Sequence, residues 1–179
     1  MKTKSKYLKE ALSATNFDIE KVAEIIESSS ADERISLIRL INKKEQIRLW
    51  NATEAKPVDL EHLVPLSTQS GVEVIHSGKN SLPLFTKFEK RFCRTEDGNF
   101  LYGYNEGSLR GIIGPGCFVA EHFEDFGTVG VNYYKVPPEE ALLPPNWPKV
   151  RPNEKGISNL VYAKMIDYLR KVSDHVAIG

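Results

Sequence analysis

Lys79, in a polar loop, is a residue that could bind an anion. Gly71 to Arg94 reads as an extended segment, a tight loop around Lys79 and a basic amphipathic segment. If Ser81 caps a helix at this point, free backbone N–H groups and the positive end of the helix dipole meet beside Lys79. Such an arrangement favours phosphate or carboxylate, so the sequence predicts an anion site.

Six polar residues make up this predicted site. The loop supplies three of them, the preceding extended segment supplies a histidine, and two arginines follow later in the chain. The candidate ligand-binding residues are His76, Lys79, Asn80, Ser81, Arg94 and Arg110. We expect them to bind a small anionic molecule, and we expect Lys79 to matter more for anion affinity than for stability. The sequence does not identify a cofactor.

The loop differs from the phosphate-binding loop of nucleotide hydrolases. That motif needs a glycine five residues before its Gly-Lys pair and a hydroxyl residue directly after the lysine. Here the two positions hold Glu73 and Asn80. Nucleotide hydrolysis by that mechanism is therefore disfavoured, because the residue that would bind magnesium is missing.

The segment after the loop has two interpretations. Its apolar residues recur at helical spacings, which predicts an amphipathic helix from Leu82 to Arg94. The alternative is a strand from Phe85 to Arg94, in which Phe88 and Phe92 point inward. Its basic residues, Lys90 among them, would then point outward. The helix is the preferred interpretation, and the predicted anion site depends on it.

Nucleophilic catalysis is an alternative use of the polar residues. Cys117 follows the run Gly114 to Gly116, where exposed backbone N–H groups would stabilise an oxyanion, and His76 or His122 would act as the base. The competing interpretation of Cys117 is a small buried residue in apolar surroundings. An enzyme that uses His76 or Cys117 is therefore the alternative function, although no recognised catalytic spacing supports it.

The composition is that of an ordinary soluble globular protein. Among 179 residues, 41% are hydrophobic, and 24 basic residues balance 24 acidic ones. A net charge of zero gives no support to a nucleic-acid or membrane-surface role, so we expect neither partner. The two cysteines cannot form a disulfide framework, which favours a cytoplasmic location. His62 has no second histidine at ligand spacing, so no metal site is predicted.

The first third of the chain is predicted to be helical in three pieces, from Ser5 to about Asn51. Asn16 or Asp18 would cap the second piece. Ser28 to Ser30 separate it from the third, which Asp32 would cap. The third piece has an apolar surface wider than one stripe, which indicates burial on two sides or a partner surface. A protein-interaction module, with a homodimer through these helices, is therefore the third functional alternative.

The middle of the chain alternates apolar and polar residues between turn signals. This pattern predicts an antiparallel meander from Phe100 to Val136. The run Gly114 to Gly116 predicts a bulge, a barrel corner or a place where backbone approaches a ligand. The sheet face with Gly130 and Asn132 either leaves room for a pocket or only permits curvature, and we favour curvature.

The last part of the chain is predicted to cover the sheet. Pro137 to Pro152 is expected to run over the surface as a strap. Apolar residues from Val161 to Val176 recur at helical spacings, which predicts a C-terminal helix. The predicted fold class is α+β, with a curved antiparallel sheet, a meander or partial barrel, covered by the N-terminal helices and one C-terminal helix. Residues 1–56 would form a helical segment and residues 57–179 an α+β core domain, or both would form one domain.

Overall fold

Helices form most of the first third of the chain, as predicted. The structure, a computed structural model, describes residues 2–81, 86–162 and 164–179. None of the described helices is long and apolar enough to cross a membrane. The helices of this part of the chain are α1 (Lys2–Ser13), α2 (Ile19–Glu27), α3 (Ala31–Leu40), α4 (Lys43–Ala52) and the short α5 (Leu60–Leu63).

Polar side chains at the caps explain where these helices begin. Asp18, one of the two predicted cap residues, caps α2. The predicted third helix is two helices, because Asn42 accepts a hydrogen bond from a backbone N–H of a new helix instead of continuing α3. Ser30, rather than Asp32, caps α3. In both α3 and α4 a glutamate three residues after the cap completes a capping box, which satisfies two free N–H groups at once.

One antiparallel sheet dominates the rest of the described chain. Its strands are β1 (Val74–Lys79), β2 (Lys87–Arg94), β3 (Leu101–Glu106), β4 (Phe118–Phe123), β5 (Thr128–Asn132) and β6 (Ile166–Tyr168). Within the described residues these six strands are ordered as they follow in the chain, and every neighbouring pair is antiparallel. The sheet curls into a half-barrel, which confirms the predicted α+β class with a curved antiparallel sheet.

The preferred helix from Leu82 to Arg94 is wrong over its described part. Lys87–Arg94 forms β2, and the Asn80 N–H donates to the Thr86 carbonyl oxygen at 2.9 Å across the hairpin. Residues 82–85 lie outside the described part. A spacing of four between phenylalanines suits strand alternation as well as a helix, and hydrogen bonding to β1 and β3 selects the strand.

The Gly114 to Gly116 break ends a helical turn rather than bending a strand. Residues Arg110–Ile113 form the short helix α6, where an extended segment was expected. Gly114 has a φ of 95° and Gly116 a φ of 53°, a region that favours glycine. The two glycines therefore let the chain turn sharply from α6 towards β4.

The predicted C-terminal helix is also wrong. After the short helix α7 (Ser158–Val161), the chain enters β6 and then a separate hairpin of β7 (Arg170–Ser173) and β8 (Val176–Ile178). The N–H of Leu169, between β6 and β7, donates to the Val129 carbonyl oxygen at 2.9 Å. Sheet hydrogen bonds and a high content of branched residues thus override the helical spacing.

Two apolar clusters stabilise the described structure. The first lies on the sheet and includes Phe92, Leu101 and Phe118. The second is made by α1 to α4 with Leu8 and Leu37, and Val172 of β7 belongs to it. The C-terminal hairpin therefore packs with the N-terminal helices. The predicted division at residue 56 stays a prediction.

Glycines in the strands accommodate aromatic rings instead of opening a pocket. A Cβ atom on Gly130 would lie 2.8 Å from the Phe123 ring, so this ring fills the space that the sequence left open. The ring of Phe118 crosses Gly103 in the same way. Rings that lie across strand glycines support a strongly curved sheet. Curvature, the favoured interpretation of Gly130, agrees with this packing.

The proline-rich segment forms the predicted strap. Residues 137–152 form no helix or strand in the structure. Trp147 donates its indole N–H to Glu73 Oε1 at 2.6 Å and meets the Tyr104 ring edge-on, with 5.0 Å between ring centroids. These contacts attach the strap to the sheet.

Candidate functional site

A cavity of about 780 Å³ lies inside the curl of the sheet. Its lining comes from strands β1, β2 and β6, from α3 and α4, and from the β7–β8 hairpin. This volume is within the range of pockets that bind small molecules. The described apolar lining includes Ile38, Ile47, Trp50, Phe88, Phe92 and Met165.

The structure brings most of the predicted ligand-binding residues to this cavity. His76, Lys79, Asn80, Ser81 and Arg110 line it, and Arg94 does not. They are gathered by the β1–β2 hairpin and by α6, rather than by the start of a helix. The helix dipole that motivated the prediction is absent from residues 86–94, because those residues are extended.

Arg94 is buried away from the cavity. Its side chain donates to the Gly98 carbonyl oxygen at 3.4 Å and to the Val64 carbonyl oxygen. The Nε atom of Arg94 has no hydrogen-bond partner among the described residues. Arg94 therefore connects the end of β2 to the segment after α5, and it does not face a ligand in the cavity.

Lys79 has backbone partners at the end of a helix. Its Nζ donates to the carbonyl oxygens of Arg39 and Ile41, each at 2.7 Å. These carbonyls are at the C-terminal end of α3, where unsatisfied carbonyls and the helix dipole favour a cation. Lys79 therefore attaches β1 to α3, a structural role that the sequence did not indicate.

A row of polar side chains crosses the sheet on the cavity side. His76 of β1 is directly opposite Lys90 of β2, and Lys90 is directly opposite Asn105 of β3. Directly opposite residues share a face of the sheet, so the three side chains are neighbours. Alternation also places Lys90 on the same face as Phe88 and Phe92, so the expectation that Lys90 points outward is wrong.

Lys90 is the centre of a buried hydrogen-bond network. Its Nζ donates to Asp167 Oδ2 at 3.1 Å, to the Tyr133 hydroxyl oxygen, and more weakly to Asn105 Oδ1 at 3.4 Å. Burial alone would lower the pKa of Lys90, but Tyr133 and Asp167 outweigh that effect and raise it. The side chain is therefore an ammonium ion with all three protons engaged.

Two tyrosines provide neutral hydroxyl groups beside this network. Tyr133 and Tyr162 stack with 5.4 Å between ring centroids. Burial raises the pKa of both, to about 12 for Tyr162. Asn105 Nδ2 donates to the Tyr133 hydroxyl at 3.1 Å and to the Gly116 carbonyl oxygen at 3.0 Å. The phenols are therefore protonated at neutral pH.

His76 is a neutral imidazole with a defined tautomer. Its Nε2 lies 2.7 Å from the Leu63 carbonyl oxygen, which can only accept, so Nε2 carries the proton. Burial lowers the pKa of His76 more than this hydrogen bond raises it. The ring also meets Phe92 edge-on at 5.4 Å. The remaining nitrogen, Nδ1, is a hydrogen-bond acceptor.

Known proteins do not identify this site. The chain matches no protein family model, no curated protein and no solved structure. Function is therefore inferred from the residues of the cavity and their chemistry.

Cys117 lacks the surroundings of a nucleophile. It is 3% exposed, does not line the cavity, and burial raises its pKa. A thiol is nucleophilic as the thiolate, which these surroundings disfavour. His122, the other base considered for Cys117, is exposed and lies 4.0 Å from Glu124. Of the two residues considered for catalysis, His76 alone faces the cavity.

The charged lining of the cavity is mainly basic. The described acidic side chains are Glu106, which accepts from Arg110 Nε at 2.9 Å, and Asp167. Five basic side chains accompany these two acidic ones. They are Lys43, Lys79, Lys87, Lys90 and Arg110.

The sequence missed Lys43, Lys87 and Lys90 as site residues. The sign that would have found Lys90 is its even spacing from Phe88 and Phe92, which places all three on one face of a strand. Lys43 reaches the cavity because α3 packs against β1 and α4 packs against β8, long-range contacts that local spacing does not encode.

Proposed function

We propose that this chain binds a small anionic molecule in the cavity of the half-barrel. The observation behind the proposal is the charge of the described lining, where five basic side chains accompany two acidic ones. A concave site with an excess of one charge attracts ligands of the opposite charge and increases their association rate. The proposal retains the ligand class predicted from the sequence and supports it with a strand-lined cavity instead of a helix start.

The basic residues contribute in two ways. Among the described residues, Lys79 donates only to backbone carbonyl oxygens, so it keeps its positive potential while it holds β1 against α3. Lys90 and Arg110 are paired with Asp167 and Glu106, so they hold the walls in place without adding net charge. Lys43 and Lys87 are exposed, and neither side chain has a hydrogen bond or ion pair with another described residue. These two lysines are therefore the proposed direct contacts of the anion.

Thermal unfolding with matched anions and neutral molecules tests the proposal. Benzoate is compared with benzamide, and citrate, phosphate and sulfate are compared with each other at constant ionic strength. Because a ligand that binds the folded state raises the Tm, we expect an anion to raise it more than its neutral counterpart. The expected increase is smaller for Lys87→Ala and unchanged for Lys149→Ala, an exposed lysine outside the cavity. Equal shifts for anions and neutral molecules would contradict the proposal.

An enzyme that uses His76 is the second candidate. It is supported by the neutral His76 ring in the cavity, because Nδ1 is an acceptor and the ammonium of Lys90 lies across from it. Such a pair suits proton abstraction next to a group that becomes negatively charged. The test is to incubate the protein with a bound anion in heavy water and to analyse that molecule by mass spectrometry. Deuterium uptake that His76→Gln abolishes supports the enzyme, and no uptake argues for binding alone.

A further inference from the structure

We propose that the ligand of this cavity is an amphiphilic organic acid, with its carboxylate at the mouth and its apolar body inside. This inference rests on the proposed function and names the class of anion. It follows from the lining of the cavity, which has exposed lysines at the mouth and mainly apolar side chains in the interior.

The mouth, meaning the exposed part of the lining, includes both basic and apolar side chains. Lys43 and Lys87 line the cavity and are exposed. Ile47 of α4 and Val161 of α7 also line it, and they are 52% and 39% exposed. Exposed apolar side chains in the lining can contact an apolar group that enters the cavity and so remove apolar surface from water. Cations beside them suit an anion that remains partly in water.

Apart from the polar row around Lys90, the interior lining is apolar, and the charge of Lys90 is already neutralised. Trp50, Phe92 and Met165 are among its lining residues. The ammonium of Lys90 is paired with the carboxylate of Asp167, so the pair has no net charge with which to attract a second anion. A hydrophilic anion moved inside would lose its hydration without gaining a free cation. The charged end of a ligand therefore belongs at the mouth.

An amphiphile matches both regions at once. Each methylene group that moves from water into the apolar interior increases affinity by about fourfold. The carboxylate at the mouth gains an exposed ion pair, which contributes up to about fivefold. A small hydrophilic anion gains only the second effect, and a neutral apolar molecule gains only the first.

One of the two tryptophans reports on the cavity directly. Trp50 lines it, whereas Trp147 lies on the proline-rich strap against Tyr104. In the variant Trp147→Phe, the fluorescence of Trp50 can be followed while hexanoate, octanoate and decanoate are added below the concentrations at which they form micelles. The matching alcohols and decylamine are titrated in parallel.

We expect affinity to increase by about fourfold for each added methylene along the acid series. The alcohols should show the same increase per methylene but bind up to about fivefold more weakly, and decylamine should bind most weakly. In the Trp147→Phe background, Lys87→Ala and Lys43→Ala should each reduce decanoate affinity without changing the increase per methylene. Lys149→Ala is the control, because this exposed lysine is outside the cavity.

The possible results separate this inference from the proposed function. Equal affinity for hexanoate and decanoate would overturn the inference that the ligand is amphiphilic. Tighter binding of acids than of alcohols would still support an anion site. Equal affinity for decanoate and decanol would overturn the proposed function too. A decrease of Tm with decanoate would mean that the acid binds the unfolded chain, which contradicts both.

The acid could also be presented by a lipid surface, and sedimentation distinguishes the two sources. Vesicles of neutral phosphatidylcholine with added phosphatidic acid are mixed with the protein and centrifuged. We expect the protein to stay in the supernatant and to bind free decanoate at one molecule per chain. Protein that sediments with the vesicles and fails to bind free decanoate would overturn the inference.

Discussion

Lys90 and Asp167 form an ion pair of 3.1 Å across the inside of the half-barrel, although their strands are four places apart in the sheet. Strands so far apart meet only because the sheet curls. The side chains are 14% and 27% exposed, so the pair is mostly removed from water. It therefore connects β2 to β6 and forms one boundary of the cavity.

Removing one member of this pair should destabilise the protein more than removing both. Asp167→Asn leaves a buried ammonium with neutral partners only, and we expect it to reduce the free energy of unfolding by about 2–4 kcal/mol. Lys90→Met combined with Asp167→Leu should recover at least half of that loss, since no uncompensated charge remains. Urea unfolding of the single and double variants measures both values.

The exposed pair of Lys135 with Glu121 is the control for this experiment. Its Nζ and Oε2 atoms are 2.7 Å apart, but Lys135 is 56% exposed. Lys135→Met should therefore cost no more than about 1 kcal/mol. If Asp167→Asn costs as little as Lys135→Met, the Lys90 ion pair does not hold the curled sheet together.

Alkaline pH should destabilise the protein through Tyr162. Its folded pKa, raised to about 12 by burial, is above the value of about 10 for an unfolded tyrosine. Below pH 10 both states keep the proton, and the effect is constant. Between pH 10 and 12 the unfolded state loses the proton first, so the free energy of unfolding falls as pH rises.

The variant Tyr162→Phe isolates this contribution. The parent should lose up to about 1.4 kcal/mol more per pH unit than the variant between pH 10 and 12, the value for one proton. Urea unfolding at intervals from pH 7 to 11.5 measures the two slopes. Their difference should be zero from pH 7 to 9. Parallel curves above pH 10 would mean that the Tyr162 hydroxyl is not protected in the folded state.

The sequence identifies elements whose signals are local. The Asp18 cap, the strap from Pro137 to Pro152 and the curved antiparallel meander were all predictable, because caps, prolines and strand alternation act over a few residues. The two helix predictions were wrong for one shared reason. Apolar spacings of three and four occur in Leu82 to Arg94 and after Val161. Pairing with other strands makes their described parts, Lys87–Arg94 and Ile166–Tyr168, extended.

The candidate site was predictable in part for the same reason. His76 and Lys79 were chosen because they lie in one short stretch of sequence, and the hairpin keeps them together at the cavity. The partner of Lys90 was not predictable, since Asp167 is 77 residues away and reaches it only through the curl. Arg94 was predicted because it is close in sequence, but its side chain binds the Val64 and Gly98 carbonyl oxygens outside the cavity.

Both cysteines should resist thiol reagents while the protein is folded. Burial raises the pKa of Cys93 to about 12 and also raises that of Cys117. We expect a chromogenic disulfide reagent at pH 8 to label neither residue within the time in which it labels both in urea. Absorbance of the released thiol measures the reaction. Rapid labelling of Cys117 in the folded protein, lost in Cys117→Ser, would restore Cys117 as a candidate nucleophile.

Lys79→Ala should lower stability and also weaken anion binding. A solvated surface lysine would contribute only about 0.5 kcal/mol to folding, the usual effect of a surface change. Two charged hydrogen bonds to the end of α3, at Arg39 and Ile41, increase the expected loss to about 1–2 kcal/mol. Lys79→Arg keeps the charge and should lose less. Lys44→Ala, at an exposed position of α4, is the control for a solvated lysine.

Urea unfolding and anion titration of the same Lys79 variants separate the two roles. If Lys79 acts only on α3, Lys79→Ala lowers the free energy of unfolding, and the Tm increase caused by benzoate is the same as in the parent. If the Lys79 charge also attracts the anion, the increase becomes smaller, and added salt reduces the difference between variant and parent. We expect both effects, with the larger one on stability. A variant as stable as Lys44→Ala would show that the bonds to Arg39 and Ile41 contribute nothing measurable.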